Sequence, residues 1–448
     1  MTSMLSAYPR RRFAALIILT TLLLRPGTSW SQENALTAAA YASKVLASAP
    51  AVISAQDAFD SADAAYKAQV AALLLPTLSF SAESYPYGHN QLGSYEFRTW
   101  QINQVNTAAN TRLDLNLFNS FQDYQKLRAL ASTRSQAERA LAAAKQNQAY
   151  AAVQAFYGLD SSNDLLDVAQ QNLKAEHDQY VQSLDLYNNG MKSLADLLKS
   201  ETDWRSSELR LVGAESDQKN ALVAFNVLID RKGLEPAVLS AVLEPGATVL
   251  PLLDGDTTRA LAQRPEIAQA REAVDGAKVA YQQAVQGLLP TFRVDAAYNR
   301  ADWAAASPAG IPSGIPNPYY NLGLFLSLPL GFNGGSQYYA VAQAKAQRKS
   351  AESSLAATVR TVETDMAGAY VALELAFKSY TISLVKEDIA RRTLDLVSNQ
   401  YRQGSADAIR MNQAQNDYLD ARVQSVLTLH NIFIDRAQYK RAAGEPLW

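Results

Sequence analysis

Residues 184–198 read LDLYNNGMKSLADLL and place one glycine, Gly190, inside a long stretch whose pattern is otherwise helical. Glycine in a helix interior costs about 1 kcal/mol relative to alanine, so a glycine here needs a reason. Glycine can adopt the left-handed backbone conformation that a chain needs to leave one helix and reverse closely into the next. The stretch therefore predicts the turn of a long helical hairpin.

The same turn occurs a second time, 214 residues later. Three pairs of short motifs share this offset, namely Tyr187-Asn188-Asn189-Gly190 with Tyr401-Arg402-Gln403-Gly404, Leu75-Pro76-Thr77 with Leu289-Pro290-Thr291, and Leu117-Phe118-Asn119 with Gly331-Phe332-Asn333. Unrelated motifs at one offset indicate a tandem duplication. We divide the chain into a leader (1–31), a first repeat (32–235), a linker or strap (236–256) and a second repeat (257–448).

Each repeat has the same order of predicted elements. An alanine-rich helical stretch (36–73 and 257–288) ends at a Leu-Pro pair, because proline lacks an amide donor and disfavours helix in the residue before it. Two segments follow in which apolar and polar residues alternate with period two, which predicts strands with one apolar and one polar face. These strands are residues 77–85 with 112–117 in the first repeat, and 291–298 with 321–328 in the second.

Very long helices follow the strands. Residues 120–186 and 336–400 contain no proline, and shorter return helices are predicted at 193–231 and 407–442. At 1.5 Å per residue the outgoing helices reach about 100 Å, several times the width of a globular domain. We expect a mainly α protein that forms a long helical bundle, with a small β part at the end opposite the glycine turns.

The strands pose a closure problem. Four strands with an apolar face cannot close a barrel, and lipid does not tolerate open sheet edges. Three copies would supply twelve strands, an even number suited to an outer-membrane barrel with apolar side chains outside and polar ones inside. The predicted lumen residues are Arg112, Asp114, Asn116, Arg293 and Asp295. Two β-hairpins packed on a soluble helical protein are the alternative that the strands alone leave open.

The N-terminus predicts export. Arg10-Arg11-Arg12 precedes an apolar run too short to span a bilayer comfortably, and small residues at Ser29 and Ser31 suit a signal peptidase that cuts after Ser31. Arg10 to Phe13 also resembles a twin-arginine signal. No second apolar run reaches the ~18 residues of a transmembrane helix.

Composition excludes several kinds of function. The whole chain has a net charge of −2, and a mildly acidic chain of this kind does not suit a nucleic-acid partner. No cysteine is present, so we expect neither a disulfide framework nor a cysteine-linked lipid anchor. The three histidines are far apart in sequence, without a second ligand at helix spacing, and are expected to be surface or packing residues. With no nucleophile elbow, zinc-protease motif or P-loop, we expect no enzyme, no metal and no cofactor.

The order and duplication of these motifs resemble the TolC-like outer-membrane efflux family across essentially the whole mature chain. The resemblance rests on Leu74 to Leu78, Leu288 to Phe292, Phe332 to Gly335 and the two turns of the pattern YxxG. The first repeat departs from the family pattern at Asn119-Ser120-Phe121, where the paired glycines are missing. The resemblance implies a homotrimer with a shared 12-stranded barrel in outer-membrane lipid and an α-barrel in the periplasm.

The resemblance also implies function and partners. It implies a passive exit duct of a tripartite efflux or type I secretion system in a Gram-negative bacterium, working with a periplasmic adaptor (membrane fusion protein) and an inner-membrane transporter. A periplasmic coiled-coil scaffold or adaptor without a barrel is the alternative. At the periplasmic tip the implied turn and adaptor-contact residues are Tyr187, Gly190, Met191, Tyr401, Gly404 and Ser405.

Charges beside the turns are candidates for a gate. Family members often carry an acid six residues after the glycine; the first repeat has Asp196 there, whereas the second has Arg410, with Asp407 three residues earlier. We hypothesise that Asp196 pairs with Arg410, within or between subunits, and holds the tip closed. The competing interpretation is two solvated charges, since exposed ion pairs are worth only about 0–1 kcal/mol.

Overall fold

The computed structural model describes residues 35–85, 106–245, 250–304, 319–327, 335–403 and 405–447. The predicted leader and Gly404 lie outside these residues. Twelve elements are present in the described ranges, in the order α1 (Ala38–Ser48), α2 (Pro50–Leu74), β1 (Thr77–Tyr85), β2 (Asn106–Asn119), α3 (Gln122–Asn188), α4 (Leu194–Leu228), α5 (Leu253–Gln263), α6 (Pro265–Gln286), β3 (Thr291–Ala304), β4 (Tyr319–Ser327), α7 (Ser336–Arg402) and α8 (Ala408–Ala443).

Corresponding elements recur along the chain. The helices α3 and α7 are both 67 residues long, and α7 begins 214 residues after α3. The same offset separates the first residues of α4 and α8, and those of β1 and β3. The structure confirms a mainly α chain with a small β part, in which each helix of a hairpin has a counterpart in the other half.

Each alanine-rich stretch is two helices, where the sequence analysis expected one. Pro50 and Pro265 occupy the first turns of α2 and α6, and the residues before them, Ala49 and Arg264, are extended. Proline suits the first helical turn because its missing amide proton would have no partner there, but it forces the preceding residue out of the helix. The helices α1 and α2 consequently meet at a bend of 53°.

The ends of shorter helices stack on one another. The Tyr41 hydroxyl donates a 2.7 Å hydrogen bond to the carbonyl of Phe225 near the end of α4, and the two rings stack with centroids 3.9 Å apart. The Ser48 hydroxyl donates a 3.0 Å bond to the carbonyl of Leu228. The return helix α4 therefore ends against α1, next to the bend at which α2 begins. In the second repeat Tyr439 of α8 likewise donates to Asp256 of α5.

The strap crosses the junction of the first repeat. Leu36 forms a short parallel bridge with Leu239, with hydrogen bonds of 2.9 Å to Val238 and from Ser240. Arg436 of α8 donates to the carbonyl of Pro245. Because the strap contacts elements of both repeats, it ties them together at the level where the stacked helices meet.

The strands form one antiparallel sheet in the order β1-β2-β3-β4. The central pair, β2 and β3, joins the hairpins of the two repeats. Both β2 and β3 are longer than the sequence predicted, whereas β1 coincides with its predicted residues. The outer strands β1 and β4 each pair on one side only within the described chain.

Within the described ranges no single helix combines the length and apolarity needed to cross a membrane, although the bent pair α1 and α2 meets the length and composition criteria together.

Candidate functional site

The predicted lumen residues share one face of the sheet. Arg112, Asp114 and Asn116 alternate along β2, and Asn116 lies opposite Asp295 of β3. The Nε atom of Arg112 is 2.7 Å from Oδ1 of Asp114, and Nη2 of Arg293 is 2.9 Å from Oδ2 of Asp295. The five side chains form a polar surface whose opposite charges pair along each strand.

The other face is apolar and exposed. Leu78 and Phe80 of β1 alternate with polar residues on this face. On β4 the outward leucines Leu322, Leu324 and Leu326 alternate with Gly323 and Phe325, and Phe325 lies on the polar face, opposite Arg293. Each of the outward side chains is more than 60 % exposed: Leu78 69 %, Phe80 69 %, Leu322 68 %, Leu324 67 % and Leu326 65 %. Exposure of so large a contiguous apolar surface to water is unfavourable. Such a surface indicates a contact with lipid or with another protein.

The corner between β2 and α3 holds two strained residues. Ser120 and Phe121 have φ values of +56° and +63°, whereas Gly335, the counterpart of Phe121 in the second repeat, has +75°. At the position of Phe121 the missing glycine has therefore not changed the backbone conformation. Ser120 helps to fix it, because its hydroxyl lies 2.6 Å from the amide nitrogen of Phe292 and 3.1 Å from its carbonyl oxygen.

The glycine turn ends α3 in a Schellman motif. Gly190 has φ +72°, its amide donates to the carbonyl of Tyr187 at 2.9 Å, and the amide of Met191 donates to Leu186 at 2.9 Å. In the second turn Ser405 donates in the same way to Gln400 at 2.9 Å. The predicted role of Gly190 as a left-handed turn residue is confirmed. Gly404 lies outside the described residues.

The three candidate gate charges lie at helix N-termini. Ser193 caps α4 in a capping box: its hydroxyl oxygen accepts a 3.2 Å hydrogen bond from the amide of Asp196, the third residue of the helix, and its own amide donates a 3.2 Å bond to the Asp196 carboxylate. Asp407 caps α8 and accepts a 2.8 Å bond from the backbone amide of Arg410. Each return helix thus has a carboxylate near the positive N-terminal end of its dipole. In α4 this carboxylate belongs to the third residue of the helix, and in α8 it belongs to the capping residue.

The hypothesised pair of Asp196 and Arg410 is not formed within the described chain. The carboxylate of Asp196 instead accepts hydrogen bonds from the hydroxyl and the backbone amide of Ser193, which hold its pKa below the ordinary value. Because Asp196 and Arg410 occupy the same position in their helices, the pattern reflects capping, and pairing between subunits stays a prediction.

The two turn tyrosines have different surroundings. Tyr401 is 2 % exposed; its hydroxyl lies 3.2 Å from that of Ser183 on α3, and Nζ of Lys192 lies 4.3 Å from its ring centroid. Tyr187 is 38 % exposed. One side of the second hairpin therefore packs on the first within a single chain, while the corresponding side of the first hairpin is open.

One buried acid near the tip was not among the sequence candidates. Glu176 of α3 is 3 % exposed, and burial, together with the neighbouring Asp203, raises its pKa from 4.5 to about 7. Arg210 and Lys199 act against this shift. In the sequence Glu176 looks like any charge on a long helix, because only the packing of α3 against α4 removes it from water.

A family model for outer membrane efflux proteins matches the chain twice, over residues 41–229 and 257–445. The outer membrane efflux protein BepC of Brucella suis biovar 1 (strain 1330) is 23% identical over 342 residues, which is 75% of this chain and 72% of BepC. Among solved structures, the Campylobacter jejuni CmeC outer membrane channel has a TM-score of 0.75 at 18% identity, covering 91% of this chain and 85% of CmeC.

The outer membrane protein VceC of Vibrio cholerae has a TM-score of 0.76 at 16% identity, covering 92% of this chain and 97% of VceC. These likenesses establish the TolC-like fold, and the two family matches cover the two hairpin-bearing halves described above. The chain belongs to the outer membrane efflux protein family.

Proposed function

We propose that the chain acts, as a homotrimer, as the passive exit duct of a tripartite efflux or type I secretion system. The single observation that carries this proposal is the sheet, which has an exposed apolar face, a polar face and two unpaired edges in the described chain. A sheet with these properties suits one third of a barrel with lipid outside and water inside. Family membership and the TolC-like fold support the same reading.

Trimer formation would also cover an apolar stripe on the helices. Exposed apolar residues on α7 recur three, four or seven residues apart, at Val371, Leu375, Ile382, Val385, Ile389 and Leu396. Such spacing is typical of a coiled-coil seam. A groove of about 620 Å³ lies along this stripe, between α7 and α8. We assign it to a neighbouring subunit, whose α4 carries exposed apolar residues of its own at Leu209, Val212, Val223 and Val227.

The tip turns are proposed to contact the adaptor. Met191 is 65 % exposed, Leu194 and Ile409 on the first turns of the return helices are 53 % and 73 % exposed, and all three lie beside the two turns. Apolar side chains presented at the end of a helical hairpin suit a protein partner. An inner-membrane transporter would supply the substrate, and the duct itself would catalyse no reaction.

Export and anchoring complete the proposal. The chain would enter the periplasm through the predicted signal peptide, lose residues 1–31, and reside in the outer membrane with its helices in the periplasm. Without cysteine it has no site for a cysteine-linked lipid, so the sheet alone would hold it in the membrane.

Fractionation and conductance test the duct function together. The expressed protein should appear in the outer-membrane fraction as a detergent-soluble trimer, and should give discrete conductance steps in planar bilayers. A soluble monomer in the periplasm would contradict the duct and favour the scaffold function.

The gate hypothesis has its own test. Replacing Asp196 and Arg410 together by alanine should raise single-channel conductance if the two charges pair between subunits. Conductance equal to that of the unmodified channel would contradict the gate while leaving the duct intact.

A further inference from the structure

One histidine is buried against two carboxylates where the two repeats meet. His430 on α8 is 1 % exposed, and its Nε2 atom lies 3.1 Å from Oδ2 of Asp160 and 3.4 Å from Oδ2 of Asp164 on α3. The two acids are four residues apart and therefore share one face of their helix. No second ligand stands near His430 in the sequence, because Asp160 lies 270 residues away on another helix.

The hydrogen bond on the other ring nitrogen fixes the tautomer. Nδ1 of His430 lies 2.9 Å from the carbonyl oxygen of Val426. A carbonyl oxygen only accepts hydrogen bonds, so Nδ1 carries a proton. In the neutral imidazole the lone pair of Nε2 then faces Oδ2 of Asp160, with Oδ2 of Asp164 beside it, and all three ligand atoms lie within 4.8 Å of one another. Three converging Lewis bases require a cation, which is either a proton on Nε2 or a metal ion.

The distances from Nε2 to the two carboxylate oxygens are compatible with a bound metal ion. Nitrogen and oxygen ligands at 2.0–2.1 Å in tetrahedral geometry lie about 3.4 Å apart. The two distances from Nε2, 3.1 and 3.4 Å, agree with this value. Histidines that ligate metals commonly donate their second ring N–H to a carbonyl, as His430 does to Val426.

Charge and access also favour a divalent ion. A divalent cation neutralises the two negative charges of the carboxylates, whereas a proton on Nε2 neutralises only one of them. Two further charged groups lie near Asp164, namely Arg422 and Asp167. Their charges have opposite signs, so they do not change the net charge around the site. The side chain of Asp160 is 14 % exposed and that of Asp164 46 %, so the site opens to solvent on one side. An ion could enter there and keep a water molecule as its fourth ligand.

We propose that Asp160, Asp164 and His430 form a binding site for a divalent transition-metal ion, with Zn²⁺ as the best match. An imidazole ligand favours zinc and its neighbours over Mg²⁺ and Ca²⁺, which select oxygen donors. The ion clamps α3 of the first repeat to α8 of the second. This site lies beyond the proposed duct function and does not depend on it.

Titration of the full-length protein tests the site. The purified protein, freed of its affinity tag and treated with a chelator, is titrated with ZnCl₂ by calorimetry, and with Co²⁺ as a spectroscopic probe. One ion should bind per chain, and bound Co²⁺ should show the intense visible absorption of a four-coordinate ion. Asp164→Asn, an isosteric change at a half-exposed side chain, should weaken Zn²⁺ binding at least tenfold, and His430→Gln should do the same.

A second histidine on α3, the helix that carries the two acids, provides the matched control. His177 of α3 lies 3.9 Å from Asp178, with 49 % of its side chain exposed. His177→Gln should leave Zn²⁺ binding unchanged, as should His89→Gln at a position outside the described residues. Absence of a saturable site at one ion per chain, or equal affinity in Asp164→Asn, would overturn the proposal and assign a proton to Nε2. If His430→Gln fails to fold, the Zn²⁺ affinity of Asp164→Asn alone tests the proposed site.

Discussion

At the scale of single residues, Phe121 shows how the two repeats reach one backbone path with different side chains. Its φ of +63° matches the +75° of Gly335, yet a side chain in this conformation costs about 1 kcal/mol or more. The ring recovers some of this through an edge-to-face contact with Phe118, at a centroid distance of 5.2 Å. Phe121 remains 61 % exposed, so the contact is partial.

Phe121→Gly should therefore stabilise the chain by about 1 kcal/mol, because relief of the left-handed strain exceeds the loss of an exposed ring contact. Thermal unfolding of the detergent-solubilised protein measures the change. Gly335→Ala is the reverse change at the corresponding corner, because it introduces a side chain in the left-handed conformation. It should lower the free energy of unfolding by a similar amount. A destabilised Phe121→Gly would show that the ring contact dominates.

Glu176 gives the chain a dependence on pH. Its folded pKa of about 7 lies above its ordinary value of 4.5, so the unfolded chain releases this proton first as pH rises. The contribution of Glu176 to stability is fully present below about pH 4.5 and is lost as pH rises through about 7. Ionisation of the buried acid costs about 3 kcal/mol at higher pH.

Glu176→Gln should raise the thermal unfolding midpoint at about pH 8 and leave it nearly unchanged at about pH 4, because the amide cannot ionise. Glu363→Gln, at an exposed glutamate on α7, is the control and should have little effect at either pH. An equal shift at both pH values would show that ionisation of Glu176 is not the cause.

The sequence could predict some of these residues and not others. Gly190 was predictable because a left-handed turn residue is required wherever two antiparallel helices join closely. Glu176 and His430 were not predictable, since their neighbours come from other helices and, for His430, from the other repeat. Packing between elements decides whether a charged side chain is buried, and the sequence around that residue does not show which elements pack against it.

At the scale of elements, the long helices and β1 were predictable nearly to the residue, because periodicity accumulates over many positions. The break at Pro50 was missed for a physical reason. Proline is compatible with the first turn of a helix, so the apolar pattern continues through it while the chain bends by 53°. The extended lengths of β2 and β3 were missed because their outer parts contain few apolar residues.

Capping decides how the return helices begin. Ser193→Ala removes the side-chain acceptor of α4, and Asp407→Ala removes that of α8, so each should cost about 1 kcal/mol. Differential scanning calorimetry of the purified protein measures the loss. Ser206→Ala, inside α4 at a partly exposed position, is the control and should be neutral or slightly stabilising, since alanine favours helix. Equal costs for Ser193→Ala and Ser206→Ala would contradict the capping role.

At the scale of the whole molecule, we propose that three chains together close one sheet into a barrel. The repeats supply the register that this closure should follow. Thr77 of β1 lies opposite Asp114 of β2, just as Thr291 of β3 lies opposite Ser327 of β4. Ser327 therefore occupies the place in its hairpin that Asp114 occupies in the other.

The junction between β2 and β3 then serves as the template for the junction between subunits. Asp114 lies opposite Ala297, which is six residues after Thr291. The residue six positions after Thr77 is Glu83. Ser327 of one subunit should consequently lie opposite Glu83 of the next.

Cysteine cross-linking measures this contact directly, since the chain contains no cysteine of its own. The double variant Glu83→Cys with Ser327→Cys, oxidised in outer membranes, should yield covalent dimers and trimers on a denaturing gel. Ser79→Cys with Ser327→Cys is the control; it moves one cysteine four residues, or about 13 Å, along β1 and should not cross-link. Monomers alone from the Glu83 and Ser327 pair, under conditions that oxidise other cysteine pairs, would contradict the closure of a sheet from three chains.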